Sequence, residues 1–259
     1  MEPSLRLPCP ELGRGSTWSE VVPLRDVLVT QEHQFVRVGA KTRAEVHFSC
    51  KPGDMKPNMS EAPMWDERYA PTEYVFGTEP AAFLTRHRDL LDIEGSALVV
   101  ADGEGRNSVF LASLGIAVTS MDVSSVGVEK ARRLAEERGV HVDALVADIL
   151  TWEWVPDAYD LVVAVFIQFL DPRQRAVVFE GMQRTLRPGG RLLLHGYRPE
   201  QIEYGTGGPS DPAHLYDEAL LRDAFAAMEI EVLDAYDTTL VEGAGHSGMS
   251  ALIDLVARK

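Results

Sequence analysis

The chain has 259 residues, of which 45% are hydrophobic and 25% are charged, and its formal net charge is −15. This length and composition are typical of one globular domain, or of a domain with an appendage. No apolar run reaches the roughly 18 residues that would cross a bilayer, and the first residues lack the pattern of a signal peptide. A cytoplasmic protein without a membrane partner is therefore expected.

Charge is distributed unevenly along the chain. Residues 1–58 contain eight Lys and Arg and seven Asp and Glu, so the acidic excess lies in residues 59–259. Such an acidic body repels phosphate backbones, and no nucleic-acid partner is expected. Cys9 and Cys50 are the only cysteines. They are predicted to be free thiols, and because the histidines show no ligand spacing, no metal site is expected.

The N-terminal segment differs from the rest of the sequence. Residues 27–30 and 35–38 have the composition of short strands, but nothing nearby would supply them with a core. Met59 resembles a natural start, just before a regular pattern of elements. We therefore predict that residues 1–58 are a poorly ordered or dispensable extension and that residues 59–259 form the functional domain.

A glycine turn follows the first strong strand pattern. The apolar run that ends at Val100 leads into Gly103-Glu-Gly105, and a helix is predicted over residues 107–114. Backbone N–H groups in such a turn can approach a polar ligand closely, which a side chain at Gly103 or Gly105 would obstruct.

Two later strand patterns end in an acid, at Asp122 and at Asp148. A carboxylate at the tip of the second strand can accept hydrogen bonds from both hydroxyls of a ribose. The acid after the third strand is placed to accept a hydrogen bond from the adenine amino group. Further strands are predicted over residues 159–167 and 191–196.

The remaining elements complete an α/β pattern. Helices are predicted from Thr78 to Leu91, from Ser124 or Ser125 to Gly139, from Asp171-Pro172 onwards, and over residues 217–228. The last two strand patterns, residues 230–240 and 250–256, are joined by so short a Gly-rich segment that they predict an antiparallel hairpin. The alternation of strands and helices predicts a doubly wound, mostly parallel sheet with helices on both faces.

Six short motifs resemble those of the class I S-adenosylmethionine-dependent methyltransferases, in the tellurite-resistance and thiopurine methyltransferase-like branch. The motifs are Trp-Asp-Glu-Arg-Tyr at 65–69, Phe-Gly-Thr-Glu-Pro at 76–80, Gly-Glu-Gly-Arg-Asn-Ser at 103–108, Arg-Pro-Gly-Gly at 187–190, Tyr-Gly-Thr-Gly-Gly-Pro at 204–209 and Glu-Gly-Ala-Gly-His-Ser-Gly at 242–248. The resemblance implies seven strands in the order 3-2-1-4-5-7-6. Val99 and Ala101 depart from it, because many relatives carry an acid and a glycine there.

The resemblance implies S-adenosylmethionine as cofactor and a set of residues that hold it. Those at the carboxyl ends of the strands are expected to contact its methionine end, ribose, adenine and sulfonium in turn. The predicted cofactor-binding residues are Trp65, Arg68, Asp102, Gly103, Gly105, Asn107, Asp122, Val123, Asp148, Ile149, Phe166 and Gln168.

The segment with Trp65 has two open interpretations. Trp65 and Tyr69 would cover the sulfonium by cation–π attraction, or they are simply packed. Arg68 would bind the carboxylate of the cofactor, or it pairs with Asp66 or Glu67.

The acceptor side is predicted at the end of the fifth strand. His195 and Tyr197 are two residues apart, so their side chains are expected on one face of the strand. Arg198 is expected at the opening of the same crevice. These three are the predicted catalytic residues, with His195 preferred to His246. The resemblance implies a small-molecule methyl acceptor, such as a thiol or a selenium or tellurium species; the sequence leaves the acceptor and the oligomeric state open.

Two other functions share parts of this pattern. A nicotinamide-dependent oxidoreductase of the Rossmann type would use the same glycine turn, but Ser108 replaces its third glycine and the terminal hairpin does not suit it. A non-catalytic protein that binds S-adenosylmethionine would share every feature, because methyl transfer requires no nucleophile on the enzyme.

Overall fold

The computed structural model describes residues 61–259 in full and, before them, the backbone of residues 5–6, 19–22 and 44–47. The chain divides into two units, Met1–Lys56 and Pro57–Lys259. In the first unit, the strands β1 (Leu5–Arg6), β2 (Ser19–Val22) and β3 (Ala44–His47) form a sheet in the order β1-β3-β2. β3 is parallel to β1 and antiparallel to β2.

Several sequence predictions fall outside the described residues. They are the strands at 27–30 and 35–38 and the free thiols of Cys9 and Cys50. The dispensability of residues 1–58 also stays a prediction.

The second unit alternates strands and helices. Its strands are β4 (Ser96–Val100), β5 (Ala117–Asp122), β6 (Asp143–Val146), β7 (Tyr159–Val165), β8 (Leu186–Tyr197), β9 (Glu229–Glu242) and β10 (His246–Arg258). Its helices are α1 (Ala62–Tyr69), α2 (Ala82–Arg86), α3 (Arg106–Ser113), α4 (Ser125–Arg138), α5 (Pro172–Thr185), α6 (Gln201–Tyr204) and α7 (Glu218–Ala224). Two 3₁₀ turns span Arg88–Leu91 and Pro212–His214.

The seven strands of this unit form one sheet in the order β6-β5-β4-β7-β8-β10-β9. Strands β4 to β8 are parallel, whereas β10 is antiparallel to both of its neighbours. Counted within the unit, the order is 3-2-1-4-5-7-6, which confirms the predicted fold. The three residues between β9 and β10 are too few for a crossover helix, and this reverses the last strand.

Local sequence signals account for several helix ends. The Ser124 hydroxyl accepts a hydrogen bond from the N–H of Gly127 at the start of α4, and Gly139 closes that helix in the left-handed conformation. Asp171 and Gln174 form a capping box at the start of α5. These predicted ends are confirmed.

The helix predicted from Thr78 is wrong in its extent. α2 begins only at Ala82, after the N-cap Ala81, and a 3₁₀ turn follows it. The N–H groups of Ala81 and Ala82 bond to the side chains of Asn107 and Glu242, so these distant groups take the place of a local cap. The helix predicted over 217–228 also ends early, at Ala224, because pairing with β10 begins at Glu229.

The core lies on both faces of the sheet. Along β4, Leu98 and Val100 pack into the cluster on one face, while Ala97 and Val99 pack into the cluster on the other. A central parallel strand is buried on both sides because helices cover both faces. Among the described residues, no helix is long and apolar enough to cross a membrane.

Candidate active site

A cavity of about 570 Å³ lies at the carboxyl ends of β4, β5, β7 and β8. The strand order reverses between β4 and β7, which is where ligands bind in open α/β sheets. Eleven of the predicted cofactor-binding residues line this cavity: Trp65, Arg68, Asp102, Gly103, Asn107, Asp122, Val123, Asp148, Ile149, Phe166 and Gln168. Tyr197 lines it too, whereas Gly105, His195 and Arg198 do not.

Two of the three described non-glycine residues with a positive φ lie at strand ends that flank the cavity. Ala101 after β4 has a φ of 49°, and Phe166 after β7 has a φ of 57°. Residues other than glycine rarely adopt this left-handed region, and such strain persists only where the surroundings enforce it. The packing around these two turns therefore holds them in this conformation.

Asp122 joins the glycine turn to the end of β5. Its Oδ2 accepts a hydrogen bond from the N–H of Gly103 at 2.8 Å, and its Oδ1 accepts one from the N–H of Ser124 at 2.8 Å. A carboxylate has about four lone-pair sites, so each oxygen can accept one further bond. Burial raises the pKa of Asp122 to about 6, although these two hydrogen bonds oppose the shift.

Two other carboxylates have an oxygen without a partner. The Oδ2 atoms of Asp102 and Asp148 are buried and accept no hydrogen bond from any described residue. Burial raises the pKa of Asp102 to about 6. A buried acceptor without a partner is costly unless a ligand supplies the donor. The hydroxyls, the ammonium group and the adenine amino group of S-adenosylmethionine are such donors, so these residues fit that cofactor.

Gly105 has a different role from the one predicted. A Cβ atom on Gly105 would lie 2.5 Å from the Cβ of Ala131 in α4, and the φ of Gly105 is 89°. The glycine therefore allows the turn to pack against α4 rather than to approach a ligand. Gly103, in contrast, lines the cavity, and a Cβ there would lie 2.7 Å from Oη of Tyr69.

Replacing Gly105 with alanine is expected to lower the free energy of unfolding by roughly 2–4 kcal/mol, because overpacking adds to backbone strain. Urea denaturation measures the loss. Gly115→Ala is the matched control, since its φ is also 89° but a Cβ there would meet nothing within 4 Å. Equal losses at the two positions would show that contact with Ala131 is unimportant.

His195 does not line the cavity, and its catalytic role stays a prediction that its contacts do not favour. Its side chain is only 2% exposed, and its Nδ1 lies 2.7 Å from Oδ1 of Asp254. Its ring stacks on Phe83 at 4.9 Å and meets the edge of Phe166 at 4.7 Å. Phe166, not His195, forms the wall of the cavity.

The contacts of Arg198 do not favour its predicted catalytic role either. Its guanidinium pairs with Asp237 of β9 and with Glu200, and it does not line the cavity. The backbone N–H of Arg198 bonds to Ala251, so the chain turns away from the cavity after Tyr197.

Two predicted cofactor residues line the cavity but use their side chains elsewhere. The side-chain amide of Gln168 donates to the carbonyl of Tyr197, and its Oε1 accepts from the N–H of Tyr197. The Asn107 side chain accepts from the N–H of Ala81. Their side chains therefore shape the walls of the cavity.

Helix α1 places Trp65 and Tyr69 beside each other, with ring centroids 5.6 Å apart. Asp66 accepts a hydrogen bond from the Ser124 hydroxyl at 2.6 Å, which ties α1 to the start of α4. Arg68 forms no ion pair within residues 61–259, and its guanidinium lies 5.4 Å from the ring centroid of Trp65. The predicted alternative of an Arg68 pair with Asp66 or Glu67 is therefore wrong.

His246, which the sequence analysis ranked below His195, lines the cavity. Its ring lies 4.4 Å from Phe76 and 4.2 Å from Phe166, beside Tyr197. Its Nδ1 and the Tyr197 hydroxyl are buried without a partner among the described residues. Burial, helped by the positive charges of Arg106 and Arg68, lowers the pKa of His246 to about 3. The Gly-rich motif at 242–248 was the available signal.

The described residues contain no group of three or more His, Cys, Asp or Glu that could hold a metal ion.

Comparison with known proteins agrees with this geometry. Residues 97–190 match a family model described as a methyltransferase domain. A curated relative from Arabidopsis thaliana, "Probable thiol methyltransferase 2", is 28% identical over 141 residues, which cover 52% of this chain. The match spans 61% of the length of that relative.

Solved structures share the fold. TehB from Haemophilus influenzae has 18% identity and a TM-score of 0.58, over 77% of this chain and 67% of that one. The N-methyltransferase NodS from Bradyrhizobium japonicum, in complex with S-adenosyl-l-homocysteine, has 16% identity and a TM-score of 0.57, over 76% of this chain and 97% of that one. With the match of residues 97–190, these likenesses support the predicted resemblance to the class I S-adenosylmethionine-dependent methyltransferases.

Proposed function

We propose that the chain transfers a methyl group from S-adenosylmethionine to a small-molecule thiol. The observation that carries this proposal is the chemical division of the cavity. One end has buried carboxylate oxygens without partners, from Asp102 and Asp148. The other end has aromatic rings around two polar atoms without partners, the Tyr197 hydroxyl and Nδ1 of His246.

The carboxylate end suits the nucleoside and the amino group. Asp122 would accept hydrogen bonds from the ribose hydroxyls with the lone pairs that Gly103 and Ser124 leave open. Asp148 would accept from the adenine amino group, and Asp102 would accept from the ammonium group.

The aromatic end suits a small acceptor that contains sulfur. Phe76, Phe166 and Tyr197 surround His246 with ring centroids at 4.2–6.0 Å. Sulfur makes favourable contacts with aromatic rings, and closely packed rings exclude the water that would solvate a nucleophile. The name of the Arabidopsis relative also favours a thiol over a selenium or tellurium species.

S-adenosylmethionine supplies a methyl group on a positively charged sulfur. The residues of this chain would align the acceptor with that group and keep water out, which are the main tasks in an in-line displacement. The hydroxyl of Tyr197 and Nδ1 of His246 would orient the acceptor by hydrogen bonds. With a pKa of about 3, His246 is neutral at physiological pH and too weak a base to keep a thiol proton.

The acceptor is therefore expected to react as a thiolate that forms before transfer. We expect kcat/KM to rise about tenfold per pH unit below the pKa of the thiol, which is near 8.5 for a cysteine-like thiol. The measurement uses two thiols of different pKa, and the break in the profile should move with the thiol. A break at one pH for both thiols would assign proton removal to a group of the chain.

Calorimetry with S-adenosylmethionine, S-adenosylhomocysteine and NADH tests the cofactor, and a methyl-release assay with thiols, selenite and tellurite tests the acceptor. We expect binding of the first two ligands and turnover with thiols. Binding of NADH alone would favour the oxidoreductase. Binding of S-adenosylhomocysteine without turnover of any acceptor would favour a non-catalytic protein. Turnover restricted to selenite or tellurite would contradict the proposal that the acceptor is a thiol.

A further inference from the structure

Residues 73–82, which we call the strap, follow α1 beside the cavity and end at the first residue of α2. The strap carries Phe76, whose ring lines the cavity and lies 4.4 Å from the ring of His246. Phe76 also meets the edge of Tyr69 at 6.3 Å. The position of the strap therefore decides the shape of the aromatic end.

One buried ion pair holds the first half of the strap. Glu104, between the two glycines of the turn, pairs with Lys130 of α4 at 2.7 Å. The other carboxylate oxygen of Glu104 accepts from the N–H of Val75 at 2.8 Å, and Lys130 donates to the carbonyl of Glu73 at 2.8 Å.

A second buried ion pair holds the other half. Arg106, just after the turn, pairs with Glu242 at the end of β9 at 2.8 Å. Arg106 donates to the carbonyl of Phe76 at 3.2 Å, and Glu242 accepts from the N–H of Ala82 at 2.8 Å. Each ion pair thus holds strap backbone on both of its members.

All four charged side chains are 8% exposed or less. Burying an ion pair costs about as much desolvation energy as the attraction returns, so its best-attested use is to specify one geometry. The geometry specified here is that of the strap, because both pairs bond to its backbone. The hairpin tip adds a close fit, since the N–H of Gly245 bonds to the carbonyl of Val75 at 3.0 Å.

We propose that Glu104 and Arg106 are positioning residues for the methyl acceptor, which hold Phe76 against His246 through the strap. The glycine turn would then have two functions: its backbone borders the nucleoside, and its two charged side chains shape the acceptor end. This inference rests on the proposed function for the identity of the acceptor, but not for the position of Phe76.

The test uses two double variants that leave no charge buried. They are Glu104→Leu with Lys130→Met, and Arg106→Met with Glu242→Leu. Phe76→Leu provides the reference for a lost ring. The first readout is the NMR signal of the His246 ring, which Phe76 shifts by its ring current; His246→Gln assigns it. The second readout is amide hydrogen exchange over residues 73–82, and the third is the KM for mercaptoethanol beside the Kd for S-adenosylhomocysteine.

We expect both double variants to move the His246 signal towards its position in Phe76→Leu and to raise exchange in the strap about tenfold. We expect the KM for mercaptoethanol to rise about tenfold while the Kd for S-adenosylhomocysteine stays within about threefold, the split typical of a lost acceptor contact. The control is Arg191→Met with Glu231→Leu, which removes a 2.7 Å ion pair at the other end of β8 and also the 2.7 Å pair of Glu231 with the partly exposed Arg258. It should change none of these values.

An unchanged His246 signal in folded double variants would overturn the proposal. A Kd for S-adenosylhomocysteine that rises in step with strap exchange would also overturn it, by assigning the charged pairs to cofactor binding. If the wild-type protein methylates no thiol, the proposed function fails, while the NMR and exchange measurements still decide the role of Glu104 and Arg106.

Discussion

Replacing Asp254 with alanine is expected to lower the free energy of unfolding by about 3–5 kcal/mol, because it leaves buried partners without their carboxylate. Asp254 is fully buried in β10, and its Oδ1 lies 2.7 Å from Nδ1 of His195. Its Oδ2 accepts from Arg86 at 3.0 Å and lies 3.1 Å from Nε2 of His87. The hydroxyl of Tyr236 donates to Oδ1 at 3.0 Å. Urea denaturation at neutral pH measures the loss.

The control for this variant is Asp237→Ala. Asp237 also accepts from an arginine and a tyrosine, Arg198 and Tyr204, but its side chain is 46% exposed. Exposed ion pairs contribute roughly 0–1 kcal/mol, so the loss should be small. Equal losses in the two variants would contradict the role of burial.

The stability that Asp254 contributes should decrease as the pH falls into the acid range. Burial alone would raise the pKa of Asp254, but hydrogen bonds from His195 and His87 outweigh burial and hold it well below its usual range. The stabilisation is therefore complete above the unfolded pKa of about 3.9 and is lost as the pH falls below it. In Asp254→Ala, the free energy of unfolding should therefore decrease less than in the wild type as the pH falls below that value.

Replacing Asp122 with alanine is expected to weaken binding of S-adenosylhomocysteine by roughly 1–3 kcal/mol, or about fivefold to more than a hundredfold. The change removes the proposed ribose acceptor and also frees the N–H of Gly103 in the turn. Calorimetry measures the affinity, and circular dichroism verifies the fold. Asp143→Ala is the control, because Asp143 lies at the amino end of β6, whereas Asp122 lies at the carboxyl end of β5, and because Asp143 pairs only with His141 among the described residues. Unchanged affinity in folded Asp122→Ala would remove the ribose assignment.

The raised pKa of Asp122 predicts how stability and cofactor affinity depend on pH, which is a second test of its role. Burial raises the pKa of both Asp122 and Asp102 to about 6. The folded state therefore holds protons that the unfolded chain has released, and stability contributed by these groups falls as the pH rises from about 4 to 6. Cofactor affinity should change in the opposite direction, rising up to about pH 6, because only ionised carboxylates accept on both oxygens.

Short-range patterns made much of the fold predictable from the sequence. A cap acts within about three residues of itself, so Ser124, Gly139 and Asp171 could be assigned directly. The three-residue joint between β9 and β10 likewise required a hairpin, and with it the reversed last strand. The acids at strand ends could be expected at one edge, because parallel strands end together.

Contacts between distant residues decided which of the predicted site residues line the cavity. His195 and His246 are both histidines at the ends of strand patterns, and only the neighbours differ: Asp254 binds the first, and the cavity borders the second. The sequence analysis assigned Gly105 to a ligand. Its contact with Ala131 could not be read from the sequence, because the two residues are 26 positions apart.

The sequence by itself determined the alternation of strands and helices, the glycine turn and the acids that follow it, since each depends on spacing within about twenty residues. The order of the strands was implied by the family resemblance. Only the tertiary structure decided that the backbone of the turn borders the cavity while the side chains of Glu104 and Arg106 bond to the strap. Glu104 meets Lys130, and Arg106 meets Glu242, across long stretches of chain. A residue pattern records that a charge is present but not which charge will be buried beside it. That choice is made by the packing of α4 and the β9–β10 hairpin around the strap.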